Sequence, residues 1–199
     1  MTKQKPKRVL ISAMEHSAEI HCANLMKTIN ENLSREDVSW PQNQSNSDSS
    51  TIFIPENKIQ IQWVGLGGEQ MQAAGCELLA ATTSKSAMIY NVFSQLGYYH
   101  SLIKNVKDYL QNNEVDLVVV CDSPAFNFHI AKAAKKQGIP ILFYVAPQFW
   151  AWAPWRIRKL RRCCDHLAAI LPFEKEWFTK RGVKTDFVGN PLFDELNFN

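Results

Sequence analysis

The stretch Val115–Cys121, VDLVVVC, constrains the fold of this chain more than any other. Beyond Asp116 it is wholly apolar and rich in β-branched valine, with no alternating polar positions, so both faces of the strand it forms must be covered. Such strands occur in parallel sheets sandwiched between helices. The rest of the chain supplies the neighbours, with strand-like runs at Val9–Ser12, Ile59–Val64, Pro140–Val145, His166–Leu171 and Thr185–Val188. Between them lie helical stretches: one carrying Ile20, Ala23, Met26 and Ile29, one from about Ala125 to Gln137 closed by Gly138, a basic one over Arg156–Cys164, and a short one over Phe173–Lys180. This alternation predicts an α/β fold, a Rossmann-like parallel sheet with helices on both faces. A chain of 199 residues, 46% of them hydrophobic, fits one such domain.

Two further segments shape the expectation. GLGGEQMQAAG places Gly65, Gly67 and Gly68 in a tight turn before a helix reaching about Ala74. Residues 85–113 carry Met88, Val92, Leu96, Leu102, Val106 and Leu110 at helical spacing, as one or two helices broken near Gly97, with an aromatic set of Tyr90, Phe93, Tyr98 and Tyr99. By contrast, residues 34–58 are dominated by Asn, Ser, Gln and Asp and cannot bury enough apolar surface to offset ordering; they read as a mobile insertion.

Charge and cysteine usage narrow the function classes. A net charge of +3 is far below the density expected of a nucleic-acid binder. The five cysteines show neither CxxC nor zinc-type spacing, so they read as reduced, with Cys121 in the core. The N-terminus is polar and basic, and no apolar run reaches 18 residues. These features predict a cytoplasmic protein, with at most peripheral contact at the inner face of the inner membrane.

Ligands of parallel α/β sheets bind beyond the carboxyl ends of the strands, so candidate chemistry is sought there. The first such turn, SAMEHSAE, offers Glu15, His16, Ser17 and Glu19. Ser17 reads equally as a helix cap, and the absence of GxGxxG argues against a dinucleotide cradle. Asp122 follows the apolar strand and precedes Pro124. A partly desolvated carboxylate there could take a proton from an attacking hydroxyl, or it could cap the next helix. PQFWAWAPW sets Trp150, Trp152 and Trp155 beside Arg156, Arg158, Lys159, Arg161 and Arg162. Aromatic residues and basic helices usually serve core and solvated surface, but together they also suit an acylated, phosphorylated amphiphile or an anionic membrane.

Six motifs in order carry a resemblance: Glu15 and Ser17 in the first turn, VGLGGEQMQAAGCE at 64–77, CDSPAFN at 121–127, YVAPQFWAW at 144–152, LPFEK at 171–175 and VGNPL at 188–192. Together they resemble the N-terminal half of the lipid-A-disaccharide synthase family. That resemblance implies one half of a GT-B fold, spanning 1–199 as the acceptor-side domain, with the C-terminal donor-binding domain absent.

It also implies an inverting glycosyltransferase of lipid A biosynthesis. The reaction would join UDP-2,3-diacylglucosamine to 2,3-diacylglucosamine 1-phosphate and release UDP, with no cofactor or metal. The implied partners are the acylated glucosamine phosphate acceptor and the UDP-sugar donor, the latter through a C-terminal donor domain supplied in cis or as a separate chain. Asp122 would be the catalytic base, with Glu15, Ser17, Asn127, Gln148, Trp150 and Trp152 binding substrate and the aromatic segments 88–99 and 148–155 receiving acyl chains.

Where the family commonly reads GETSGD, this chain has Met14, His16, Ala18 and Glu19, and Ala125 replaces a second acid. A non-catalytic lipid- or partner-binding module derived from the family is the alternative expectation.

Overall fold

The computed structural model describes residues 5–34, 59–83 and 92–191, with the backbone alone at 92–96. In chain order the elements are β1 (Lys7–Ala13), α1 (His16–Ser34), β2 (Ile61–Gly67), α2 (Glu69–Ala73), β3 (Cys76–Ala81), α3 (Val92–Asn112), β4 (Leu117–Cys121), α4 (Pro124–Lys136), β5 (Ile141–Tyr144), α5 (Phe149–Trp152), α6 (Ile157–Cys163), β6 (His166–Ala169), α7 (Pro172–Thr179) and β7 (Thr185–Phe187). A 3-10 turn at Pro154–Arg156 joins α5 to α6. The strands form one sheet in the order β3-β2-β1-β4-β5-β6-β7, and every pairing is parallel. The chain therefore winds outward from β1 in one direction, returns to β4, and winds outward in the other. Between β1 and β4 lies the switch point, where the loops leaving adjacent strands part and open a crevice.

Both faces of the sheet are covered, as the valine run requires. Alternate side chains of the two central strands enter different cores. Val9, Ile11, Val119 and Cys121 join Cys22, Ala23 and Met26 of α1 and Met71 of α2 on one face. On the other, Leu10, Val118 and Val120 meet Leu102, Val106 and Leu110 of α3, Ile130 and Ala134 of α4, Leu160 of α6 and Phe178 of α7. Each of these side chains is buried.

The structure corrects the sequence expectation in four places. Gly65 and Gly67 lie within β2 rather than in a turn, and only Gly68 stands at the start of α2. The reason at Gly65 is close approach: a Cβ there would sit 1.8 Å from Ile11 O on β1. β3 went unpredicted because CELLAA is built of good helix formers; this edge strand owes its form to pairing with β2. Gly97 does not break α3, since its penalty of about 1 kcal/mol is offset by the buried Leu102–Val106–Leu110 stripe. The basic helix starts at Ile157, one residue after the 3-10 turn, rather than at Arg156. Apart from Ser34, which ends α1, the insertion expected at 34–58 lies outside the described residues, as do Met88 and Tyr90.

Gly65→Ala tests the β1–β2 approach. We expect destabilisation of at least about 2 kcal/mol, read as a lower urea midpoint at unchanged m-value.

Candidate active site at the switch point of the sheet

Two buried polar residues build the crevice from below. Ser12, near the end of β1, donates from Oγ to Asn127 Oδ1 at 2.8 Å. Asn127, in the first turn of α4, donates from Nδ2 to Cys121 O at 3.0 Å and to Asp122 O at 2.7 Å. Both side chains are wholly buried. Asn127 therefore ties β1 to the turn that carries Asp122, and its polar atoms are engaged by the chain itself. Asp122 and Ser123 are held at positive φ, 58° and 36°, a conformation that costs a non-glycine residue on the order of 1 kcal/mol each.

At the crevice mouth, Asp122 Oδ1 accepts a hydrogen bond from Ser123 N at 2.9 Å. The N-cap position of α4 belongs to Ser123, so Asp122 does not serve as the cap. Ser123 Oγ in turn donates to Glu15 Oε1 at 2.7 Å, so that one serine binds Asp122 through its amide and Glu15 through its hydroxyl. Partial enclosure, with the Glu15 charge second, pushes the Asp122 carboxyl above the usual aspartate range; the Ser123 N–H and His21 act in the opposite sense.

The cleft above Asp122, about 280 Å³ in volume, is lined on one side by Ser17, His21 and Cys121 and on the other by Gln148, Trp152 and Leu171. Ser17 is the second residue of α1, two past the cap position for which it was a candidate. Gln148 and Trp152 are exposed beside the cleft. Trp150 is turned away from it: its Nε1 donates to Glu174 Oε1 at 3.0 Å, and its ring meets Phe173 edge-on. Glu174, buried, also accepts from Ile170 N and Leu171 N, fixing the start of α7. Glu19 is likewise consumed by structure, accepting from Gln70 N at 2.8 Å and from the Thr83 hydroxyl.

His21 and Glu174 escaped the sequence reading. For His21 a signal was present, since it lies four residues after Ser17 and so on the same face of α1. Away from the cleft, burial pushes the Cys163 thiol up to about 11 and Cys164 up to about 12, so both are protonated near neutral pH.

A second concavity lies between α4 and α6. Lys132, Lys135 and Lys136 face Arg156, Arg158, Lys159 and Arg162 across it, and no acid is among the lining residues. Its apolar floor includes Phe128, with Lys159 Nζ 4.5 Å from the ring centre, and its rim carries Trp155, 69% exposed. Lys135 is paired with Asp165.

Comparison with known proteins places this geometry. The sequence profile described as lipid-A-disaccharide synthetase matches residues 9–199. The chain belongs to the lipid-A-disaccharide synthase family. Among its curated relatives, the lipid-A-disaccharide synthase of Trichlorobacter lovleyi is 32% identical over 195 residues, covering 98% of this chain and 44% of that protein. Lipid-A-disaccharide synthase 1 of Legionella pneumophila is 32% identical over 191 residues, covering 95% and 43%. The chain thus spans less than half the length of these relatives.

Among solved structures, a UDP-N-acetylglucosamine 2-epimerase matches with a TM-score of 0.55 at 11% identity, covering 96% of this chain and 50% of that one. The UDP-GlcNAc 2-epimerase of Neisseria meningitidis gives a TM-score of 0.54 at 13% identity, covering 94% and 48%. These likenesses concern the fold, one Rossmann-like half of a GT-B architecture.

Asp122→Asn is expected to raise the melting temperature at pH 7. A carboxyl raised by folding holds its proton more tightly in the folded chain, so stability on its account falls as pH rises through that interval and the penalty stands in full at neutral pH. Asparagine removes the charge, keeps an oxygen for Ser123 N and tolerates positive φ. Thermal melts across pH should show the advantage shrinking as pH falls through the raised folded-state midpoint and vanishing below about 3.9, the ordinary aspartate value.

Proposed function

We propose that this chain is the acceptor-side half of a lipid-A-disaccharide synthase, an inverting glycosyltransferase with Asp122 as general base. The observation that carries the reading is the placement of Asp122: a carboxylate with a raised affinity for protons, held at the switch-point crevice by the buried Ser12–Asn127 bridge. In the proposed reaction Asp122 takes the proton from the 6-hydroxyl of 2,3-diacylglucosamine 1-phosphate. The freed oxygen attacks the anomeric carbon of UDP-2,3-diacylglucosamine, the bond to UDP breaks, and a β-1,6 linkage forms with inversion. Glu15 and Ser17 flank the reacting sugars, while Gln148 and Trp152 contact the acceptor from the opposite wall. Asn127 contributes by fixing the turn rather than by touching substrate. The UDP-sugar is held by a donor-binding half completing the cleft.

The α4–α6 groove supports a peripheral contact with the inner face of the inner membrane. Its basic rim suits anionic headgroups, and Trp155 suits the interfacial layer. No described helix is long and apolar enough to cross a membrane.

The decisive assay is transfer between the two acylated sugars, run on this chain alone and with a separately supplied donor-binding half. Activity is expected with the added half, falling about 10²–10⁴-fold for Asp122→Asn. Lipid binding without transfer under either condition would instead identify a non-catalytic module. Co-sedimentation with phosphatidylglycerol vesicles is expected to exceed that with phosphatidylcholine and to weaken with added salt. Reversing charge at Lys132, Arg158 and Arg162 should abolish the difference.

A further inference from the structure

The lining of the Asp122 cleft includes two acids, Asp122 and Glu174, but no lysine or arginine. A phosphorylated ligand bound there must find its cation at the edge of the cleft, and Trp152 leads to one. The Trp152 ring lines the cleft, and the guanidinium of Arg156 lies over it, 5.1 Å from the ring centre. Arg156 in turn lines the acid-free groove between α4 and α6, so this stacked pair links the two concavities.

Both members of the pair are held from behind. Phe149, wholly buried, meets the Trp152 ring edge-on with 6.2 Å between centres. The 3-10 turn that carries Arg156 is closed by Arg156 N donating to Ala153 O at 2.9 Å, and buried Ala153 donates in turn to Phe149 O at 3.1 Å. The arginine is therefore mounted on ordered backbone. Its half-buried side chain has no carboxylate partner among the described residues, whereas Lys135 in the same groove is paired with Asp165. A guanidinium stacked on an indole keeps its N–H edge free, and that planar fork matches two oxygens of a phosphate.

We propose that Arg156 is the phosphate anchor of the acceptor, its guanidinium binding the 1-phosphate from its seat on Trp152 while the 6-hydroxyl reaches Asp122. The inference rests on the reading of the cleft as the acceptor site, but its test reads binding and does not require transfer. The 6-hydroxyl and the 1-phosphate project from opposite ends of the sugar ring, so a ring lying against Trp152 with its hydroxyl at Asp122 turns the phosphate away from the acids and toward Arg156. The same contact sets a specificity, since a sugar with a free 1-hydroxyl offers the fork no charged oxygens.

The experiment titrates the full chain with 2,3-diacylglucosamine 1-phosphate in neutral detergent micelles and, in parallel, with the same diacyl sugar lacking the phosphate. The parent chain is expected to favour the phosphorylated lipid by about 10–100-fold, the range of a charge-assisted hydrogen-bonded contact. Arg156→Gln is expected to erase most of that preference while keeping the parent affinity for the unphosphorylated sugar, which also shows the variant to be folded. Arg156→Lys, which keeps the charge without the fork, should fall between the two. Arg161→Gln removes one positive charge from the adjoining helix α6, outside the groove, and should retain the full preference. A preference that survives in Arg156→Gln, an equal loss for both sugars, or an equal loss of preference in Arg161→Gln would overturn the inference and leave the acceptor reading standing. Binding of neither sugar by the parent chain would overturn both.

Discussion

The bridge from Ser12 through Asn127 to the carbonyls of Cys121 and Asp122 is the interaction on which the site depends. It lies beside the two strands where the winding of the sheet reverses, where the wholly buried Asn127 side chain reaches both β1 and the turn after β4. An unpaired amide or hydroxyl there would cost about 1–3 kcal/mol, so the three groups hold one another in place. The result is a turn kept at positive φ through Asp122 and Ser123, with a carboxylate at its apex. Strain of this kind persists where the surroundings over-determine it, and here the surroundings are two hydrophobic cores and a buried amide.

Around that turn the polar residues divide by environment rather than by type. Glu19 and Glu174 are buried and satisfied by backbone amides and neighbouring donors; each stitches a helix to an adjoining segment. Glu15 and Asp122 are open to the crevice and share a serine, which leaves them available to a ligand. The tryptophans divide likewise: Trp150 packs on Phe173 and Glu174, whereas Trp152 stands exposed under the guanidinium of Arg156, 5.1 Å from the ring centre. One aromatic segment therefore serves both as a brace for α7 and as a wall of the cleft.

Much of the architecture was legible because periodicity and burial are local properties. The valine run of β4, the stripe of Leu102, Val106 and Leu110 on α3, and the closure of α4 near Gly138 each follow from spacing and backbone preference. β3 was not legible, because an edge strand of leucine and alanine takes its form from the neighbour it pairs with. Gly65 was read as a turn residue, although its lack of a side chain serves the approach of β1 within the sheet. Asp122 was visible as the polar residue ending an apolar strand. The distinct tasks of Asn127 and Trp150 and the place of His21 on the cleft wall were not, since each depends on partners at least 24 residues away or on the shape of the cleft.

By itself the sequence determined the fold class, the carboxyl-edge location of Glu15, Ser17 and Asp122, and the family, because these depend on residue order and on the period of the backbone. Tertiary structure alone decided which polar groups are consumed by the fold and which remain free for chemistry. A hydrogen-bond partner and a desolvated neighbour are set by proximity in space, and that proximity exists only once β1 and β4 lie side by side.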